Sequence, residues 1–287
     1  MSRSAGTGGE GAGPAVAAPD RSPGRRSWSL PRIPDWALPW ISVPAVLVLF
    51  DVLPRIGVLP ENHFPPVSEM LTTLADEVVT SGFWDAVGAT LEGWALGLGI
   101  AAGLGIPLGI VIGSSRLLYR ALRPVIEFLR PVPSVALIPL AILIYGTGLQ
   151  SEVFLAAFAA FWQVLLQTLY GVQDVDPVAT DTARSFGLRR PQRLLRVTLP
   201  SAIPYIATGM RIASTVSLIL VVTAELVIGS PGLGQDINLA RQGGNVELMY
   251  ALIIATGLVG WMLNGIFTRL ERRVLHWHPS QRSEAPA

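Results

Sequence analysis

The sequence predicts an all-α integral membrane protein with six transmembrane helices, and three observations carry that expectation. The 287 residues are 51% hydrophobic and only 14% charged, with a mean hydropathy of +0.49, which is too apolar for a soluble domain of this length. Apolar runs recur along the chain at lengths suited to helices that cross a bilayer, for which about 20 residues are needed. Arginine collects in alternate connections between those runs, as the positive-inside rule requires of a multi-pass protein.

Residues 1–34 are rich in Gly, Pro, Ser and Ala, carry scattered Arg, and lack an apolar stretch of signal-peptide length; a disordered tail is expected. A membrane domain follows over residues 35–275. Its first span covers about 36–53, with Trp36 and Trp40 as interfacial anchors. An acidic segment comes next, bearing Glu61, Glu69, Asp76, Glu77 and Asp85. Within it "SEMLTTLADEVV" puts Met70, Leu71, Leu74, Ala75, Val78 and Val79 on one helical face, with Ser68 as the expected N-cap. The second span, about 91–113, is studded with the glycines that close-packed membrane helices use. The third, about 132–146, contains Pro139, expected to kink it, and is shaped at its start by Pro131 and Pro133. The fourth covers 152–170, the fifth 204–228 and the sixth 248–270, and a short second tail fills 276–287. With the N-terminus cytoplasmic, "SSRLLYRALRP", the 176–200 connection and "RLERRVLHWH" all lie inside, and the outer loops keep only Arg55 and Arg241. Both termini are therefore expected in the cytoplasm of a cell-membrane protein.

Composition also excludes. There is no cysteine, so neither disulfides nor thiolate chemistry are available. Of the three histidines, His63 stands alone, and His276 and His278 flank Trp277 in a tail with no third ligand nearby, so no metal site is expected. A net charge of +1 gives no reason to expect nucleic acid as a partner. All 21 basic residues are Arg, and a phosphate loop of the GxxxxGK[ST] type needs a lysine. The chain cannot supply its own nucleotide site of that kind, and no soluble domain is left over for catalysis, so it is not expected to be an enzyme.

The connection at 176–200 is the longest interior one. Asp176 and Pro177 form a helix start, and Gly187 a C′ stop, with Val178, Ala179, Thr182, Ala183 and Phe186 on one face. A second short helix is expected from about Pro191 to before Pro200, with Arg189, Arg193 and Arg196 on one side. Anionic lipid could bind these arginines. A DNA reader held between two spans could hardly reach a major groove. The small residues and the central glycine favour a docking element for a cytoplasmic protein.

The same residues carry a resemblance. "DTARSFG", then nine residues, then "VTLP" is similar to the EAA loop of ABC importer permeases, the binding-protein-dependent transport inner-membrane components. Asp181, Thr182 and Ala183 stand at the Glu-Ala-Ala positions, Gly187 at the glycine, and Val197, Leu199 and Pro200 at Ile-x-Leu-Pro; Asp for Glu and Thr for the first Ala are departures. "FPPVSEML", "RPVPSVALIPLAILIYGTG", "AELVIGSPGLGQDINLAR" and "LERRVLHW" extend the likeness over about 60–277, toward the branch importing sulfonates, taurine and nitrate, with relatives serving thiamine precursors or riboflavin. The resemblance implies a type I ABC importer permease bundle, paired as a homodimer around a path. It further implies a coupling helix seated in a separate ATPase subunit dimer that binds ATP and Mg, and an extracytoplasmic solute-binding protein that delivers a small anion. No cofactor is then expected in this chain. The coupling residues it implies are Asp181, Thr182, Ala183, Gly187, Leu199 and Pro200, with Arg184, Arg189 and Arg190 beside them.

For the path, the fifth span puts Arg211, Thr215, Leu218, Val222 and Glu225 near one face. Charged groups in a span usually face a cavity or a partner, although Arg211 could snorkel and Glu225 could meet headgroups. Trp162, Gln163 and Gln167 on the fourth span are further candidates, as path or as packing. "SPGLGQD" at 230–236 lacks the strand of a dinucleotide site and is expected to be an outer turn or re-entrant segment. A self-contained secondary transporter is the alternative, but the chain shows no internal repeat.

Overall fold

The computed structural model describes residues 38–60 and 62–275, with side chains described from residue 42 onward. The expectations for the two tails, for the tryptophan anchors, and for Glu61, His276 and His278 lie outside that description. The chain divides into two units, Met1–Val46 and Leu47–Ala287. Of the first, the described part is the opening stretch of helix α1 (Leu38–Arg55); the second holds the bundle.

Eleven α-helices form the described part, and no strand interrupts them. α2 (Val67–Val78) is the expected amphipathic helix, but Ser68 is not its cap, because Pro66 holds that position and has no side-chain acceptor to offer. Asp51, at the end of α1, takes over the task. Its Oδ1 accepts the Ser68 N–H at 2.9 Å and the Ser68 hydroxyl at 2.7 Å, and Arg55 braces it at 3.2 Å. A side chain 17 residues away thus satisfies a helix-end donor that local sequence leaves open.

α3 (Ser81–Ser114) starts well before Leu91, at a Thr80 cap whose hydroxyl accepts the Phe83 N–H. Asp85 and Glu92 therefore belong to its early turns. Five of its glycines fall on a four-residue repeat, at 93, 97, 105, 109 and 113, with Ala101 filling the gap. They meet a matching series on α6 (Leu149–Gln173): a Cβ built on each would lie 2.0 to 3.0 Å from Glu152, Ala156, Val164, Thr168 and Val172 respectively. The two helices are closer than any larger residue would permit, and dispersion between their backbones replaces the hydrophobic drive that lipid cannot supply.

α4 (Arg116–Leu129) gives the arginine-bearing "SSRLLYRALRP" connection a helical form; Ser115 caps it by accepting the Leu118 N–H, and Arg123 pairs with Glu127 one turn on. A 3-10 turn (Ser134–Leu137) and α5 (Ile138–Tyr145) follow at a bend of 80°. Pro139 does not kink this span. It sits in the first turn of α5, where its missing N–H would have no partner anyway, and the bend falls where Pro131 and Pro133 stand.

The expected stop before Pro200 is also absent. α7 (Pro177–Ser185) and α8 (Arg190–Arg193) are separate helices, but from Arg190 a single helical run continues through a π-turn (Leu194–Thr198) into α9 (Leu199–Ile228). In the π-turn the Leu199 N–H reaches back to the Leu194 carbonyl, and the wider coil accommodates the missing donor of Pro200. α10 (Leu233–Gln242) begins within the stretch expected to be an outer turn or re-entrant segment, and α11 (Val246–Val274) closes the bundle.

By length and composition, four helices among the described residues can cross a membrane: α3, α6, the run ending in α9, and α11. The bent pair of α4 with α5 makes a fifth only if the two are counted as one broken span, so the described residues give four or five where six spans are expected. α6 is the central column, packed on α3 through the glycine series and on α9 through Ala160, Val164 and Ala213 among their neighbours.

Candidate functional site

Three places bear on function, the first being the connection at α7. Asp176 accepts the Val178 N–H at 2.8 Å, as the sequence predicts. At the other end Leu188 N–H bonds the Ala183 carbonyl and Gly187 N–H the Arg184 carbonyl, a complete Schellman turn with Gly187 at φ +77°. The turn buries Ala183 beneath the helix and leaves Asp181, Thr182 and Arg184 on its outer side. Asp181 and Arg184 pair at 3.5 Å in solvent, where such a pair adds little to stability. Val178 is 71% exposed and Phe186 81%, an apolar edge that the fold leaves uncovered. Arg189 and Arg190 are exposed beyond the turn, whereas Leu199 and Pro200 lie in the first turn of α9, Leu199 half-buried. The structure thus brings the EAA-like residues 181–187 into one exposed helix and turn, and sets Leu199 and Pro200 behind them as the root of the following span.

The second place is a groove of about 590 Å³ between α9 and α11. Thr215, Leu218, Ile219 and Val222 line it from α9, and Thr256, Gly260 and Asn264 from α11. No charged side chain lines it, and Thr215, Thr223 and Thr256 donate their hydroxyls back to carbonyls of their own helices, leaving lone pairs toward the groove. Of the path candidates on the fifth span, Thr215, Leu218 and Val222 are here, and the two charged ones are not. Arg211 instead pairs with Glu271 of α11 at 3.5 Å, and Thr208 donates to the same carboxylate, so this cation ties two helices together. Trp162 is buried on the opposite side of α6, in edge contact with Phe158 and Phe161. Gln163 is half-buried on the face toward α9, where its carbonyl lies close to Gly209.

The third place is a seat for the segment 229–234, and here Glu225 is found. Fully buried, it accepts the Gly234 N–H at 2.7 Å through Oε2. Glu152 of α6, equally buried, accepts the Ser230 hydroxyl at 3.0 Å, and Thr90 of α3 accepts the Leu233 N–H at 2.9 Å. Three spans each give one polar side chain to hold the segment. Gly232 is required: its φ is +153° and a Cβ there would lie 2.1 Å from the Glu225 carboxylate. Glu152 is not among the residues expected to act. The signal was present, since Glu152, Ala156, Ala160, Val164, Thr168 and Val172 repeat every fourth residue and the first of them faces the glycine stripe.

Residues 105–276, more than half of the chain, match the family described as binding-protein-dependent transport system inner membrane component. The nitrate import permease protein NrtB of Leptolyngbya laminosa is 36% identical over 194 residues, covering 67% of this chain and 69% of that one. The taurine transport system permease protein TauC of Escherichia coli is 31% identical over 259 residues, covering 88% of this chain and 94% of its own. Among solved structures, the MetNI methionine ABC transporter in inward facing conformations contains a chain that superposes with a TM-score of 0.59 at 20% identity, over 66% of this chain and 94% of that one. At that identity the likeness speaks for the fold alone, a permease bundle of the ABC importer kind. With the family match and these relatives together, the chain belongs to the binding-protein-dependent transport system inner membrane components.

Proposed function

We propose that this chain is the permease subunit of an ATP-driven importer for a small oxyanion of the sulfonate, taurine or nitrate type. Two copies pair around the path, a separate ATPase dimer that binds ATP and Mg docks on the cytoplasmic loop, and an extracytoplasmic binding protein delivers the solute. The observation that carries the reading is α7. Its Schellman turn presents Asp181, Thr182 and Phe186 outward on a rigid stub, the shape of a plug meant for a groove in another protein. The solute class is taken from the relatives named as nitrate and taurine permeases. Within this chain the α9/α11 groove supports a path without fixed charge: Thr215, Leu218 and Val222 let an anion pass without trapping it, and selection rests with the binding protein.

Deleting residues 177–199 in the assembled transporter tests this reading. Loss of the co-purifying ATPase subunit, with the truncated chain still in the membrane, is the expected result. An ATPase that stays bound, or uptake that needs no ATPase at all, overturns it in favour of a self-contained transporter. Gly187→Val is the milder probe, because a β-branched residue resists φ +77° while nothing crowds the position. It should leave membrane insertion intact and uncouple uptake.

A further inference from the structure

We propose that Tyr205 and Asp174 are a positioning pair that clamps the neck of the coupling loop, making α6 and α9 move together when α7 is displaced. The proposal rests on α7 being the ATPase docking helix.

α7 is joined to the bundle by two unlike connections. On its C-terminal side, after the Gly187 turn, Arg190–Ile228 is one helical run of 39 residues and transmits force as a rod. On its N-terminal side α6 ends at Gln173, and residues 174–176 lie outside any helix before Pro177. That joint can bend. A push on α7 reaches α9 directly and α6 only across the seam between the two helices, so what ties their ends next to α7 decides how closely they move together.

The Tyr205 hydroxyl spans it by donating to the Asp174 carboxylate, 31 residues away. The approach is supported below: a Cβ on Gly171 would lie 2.7 Å from the Tyr205 Cβ, and one on Gly209 2.8 Å from the Gln167 Cβ, so α6 and α9 touch one turn deeper as well. Packing explains the tyrosine ring, since a phenylalanine would cover Gly171 equally well. It does not explain the hydroxyl. The hydrogen bond sits at the rim of an open recess of about 410 Å³ shared with Tyr170 and Gln173, where Asp174 is exposed and could be satisfied by water. A hydroxyl held on that carboxylate acts as a tie.

The test uses the full transporter with its ATPase and binding protein. Tyr205→Phe and Asp174→Ala remove the tie, while Asp174→Asn keeps an acceptor for the tyrosine. Uptake per ATP hydrolysed should fall about tenfold in Tyr205→Phe and Asp174→Ala, in the range of a typical coupling energy. The double variant should be no worse than either single one. Asp174→Asn should restore coupling, and basal hydrolysis and retention of the ATPase subunit should stay at wild-type level throughout. Wild-type coupling in Tyr205→Phe overturns the clamp, and so does a loss that merely follows loss of the ATPase subunit. Failure of the docking reading is distinct, because it appears as an ATPase that stays bound to the chain lacking 177–199.

Discussion

Gly97 and Ala156 face each other so closely that a Cβ on the glycine would lie 2.6 Å from the alanine Cβ. The pair belongs to a series in which α3 gives small residues and α6 gives the knobs, every fourth position on both.

The series predicts opposite outcomes for neighbouring glycines. Gly109→Leu would drive its side chain into Thr168 and the Leu165 carbonyl, and should lower stability by about 1–3 kcal/mol or more, the cost of overpacking a close contact. Gly103→Leu, with nothing within 4 Å, should be neutral. Thermal unfolding in detergent compares them directly.

That contrast also marks what the sequence could tell. Apolar length pointed to the four long helices α3, α6, the run ending in α9 and α11, because bilayer thickness acts on composition. The caps at Asp176 and Gly187 were legible because they are local. Asp51 capping α2, Arg211 reaching Glu271 and Glu152 meeting Ser230 were not, since each partner comes from a helix whose neighbours only the fold decides. Arg211 and Glu225 were drawn into a path by sharing a face with Thr215, yet helical phase tells where a side chain points and not what stands opposite. The arginines of α4 misled in another way, because a charged stretch with apolar residues between can be a helix as readily as a loop.

The seat beneath residues 229–234 predicts that Glu225→Leu leaves the Gly234 N–H buried without an acceptor. A buried donor in that state costs about 1–3 kcal/mol. Glu225→Gln, which keeps an oxygen in place, should lose less. Protection of the 233–236 amides in hydrogen exchange should fall in the leucine variant and persist in the glutamine one.

Asp236, in the first turn of α10 and outside the spans, has its carboxyl raised above the ordinary 3.8, by burial first and by the nearby Glu77 second. A raised acid binds its proton more tightly in the folded chain than in the unfolded one. Its contribution is therefore fully present below pH 3.8 and is lost as the pH climbs through the raised value. Asp236→Asn removes the penalty that the charged form meets at neutral pH. The variant should unfold at a higher temperature than wild type at pH 7, with the difference shrinking toward zero as the pH falls to the ordinary aspartate value. An equal shift at every pH would mean that the side chain acts by shape and not by charge.

Arg211 and Thr215 stand one turn apart on α9, and the structure gives them different work. Arg211 is tied to Glu271 across a partly exposed gap, with side chains 39% and 16% exposed, so solvent screens the pair and its net worth is about 1 kcal/mol or less. Thr215 stands in the wall of the groove. Arg211→Met should therefore shift thermal stability slightly and leave uptake near wild type. Thr215→Trp should leave the fold intact, because position 215 is exposed toward the groove, and should block uptake by filling it. Uptake of labelled nitrate or taurine, measured beside thermal unfolding, separates the two effects. If Arg211→Met abolished uptake at unchanged stability while Thr215→Trp transported normally, the path would run along a different face of α9.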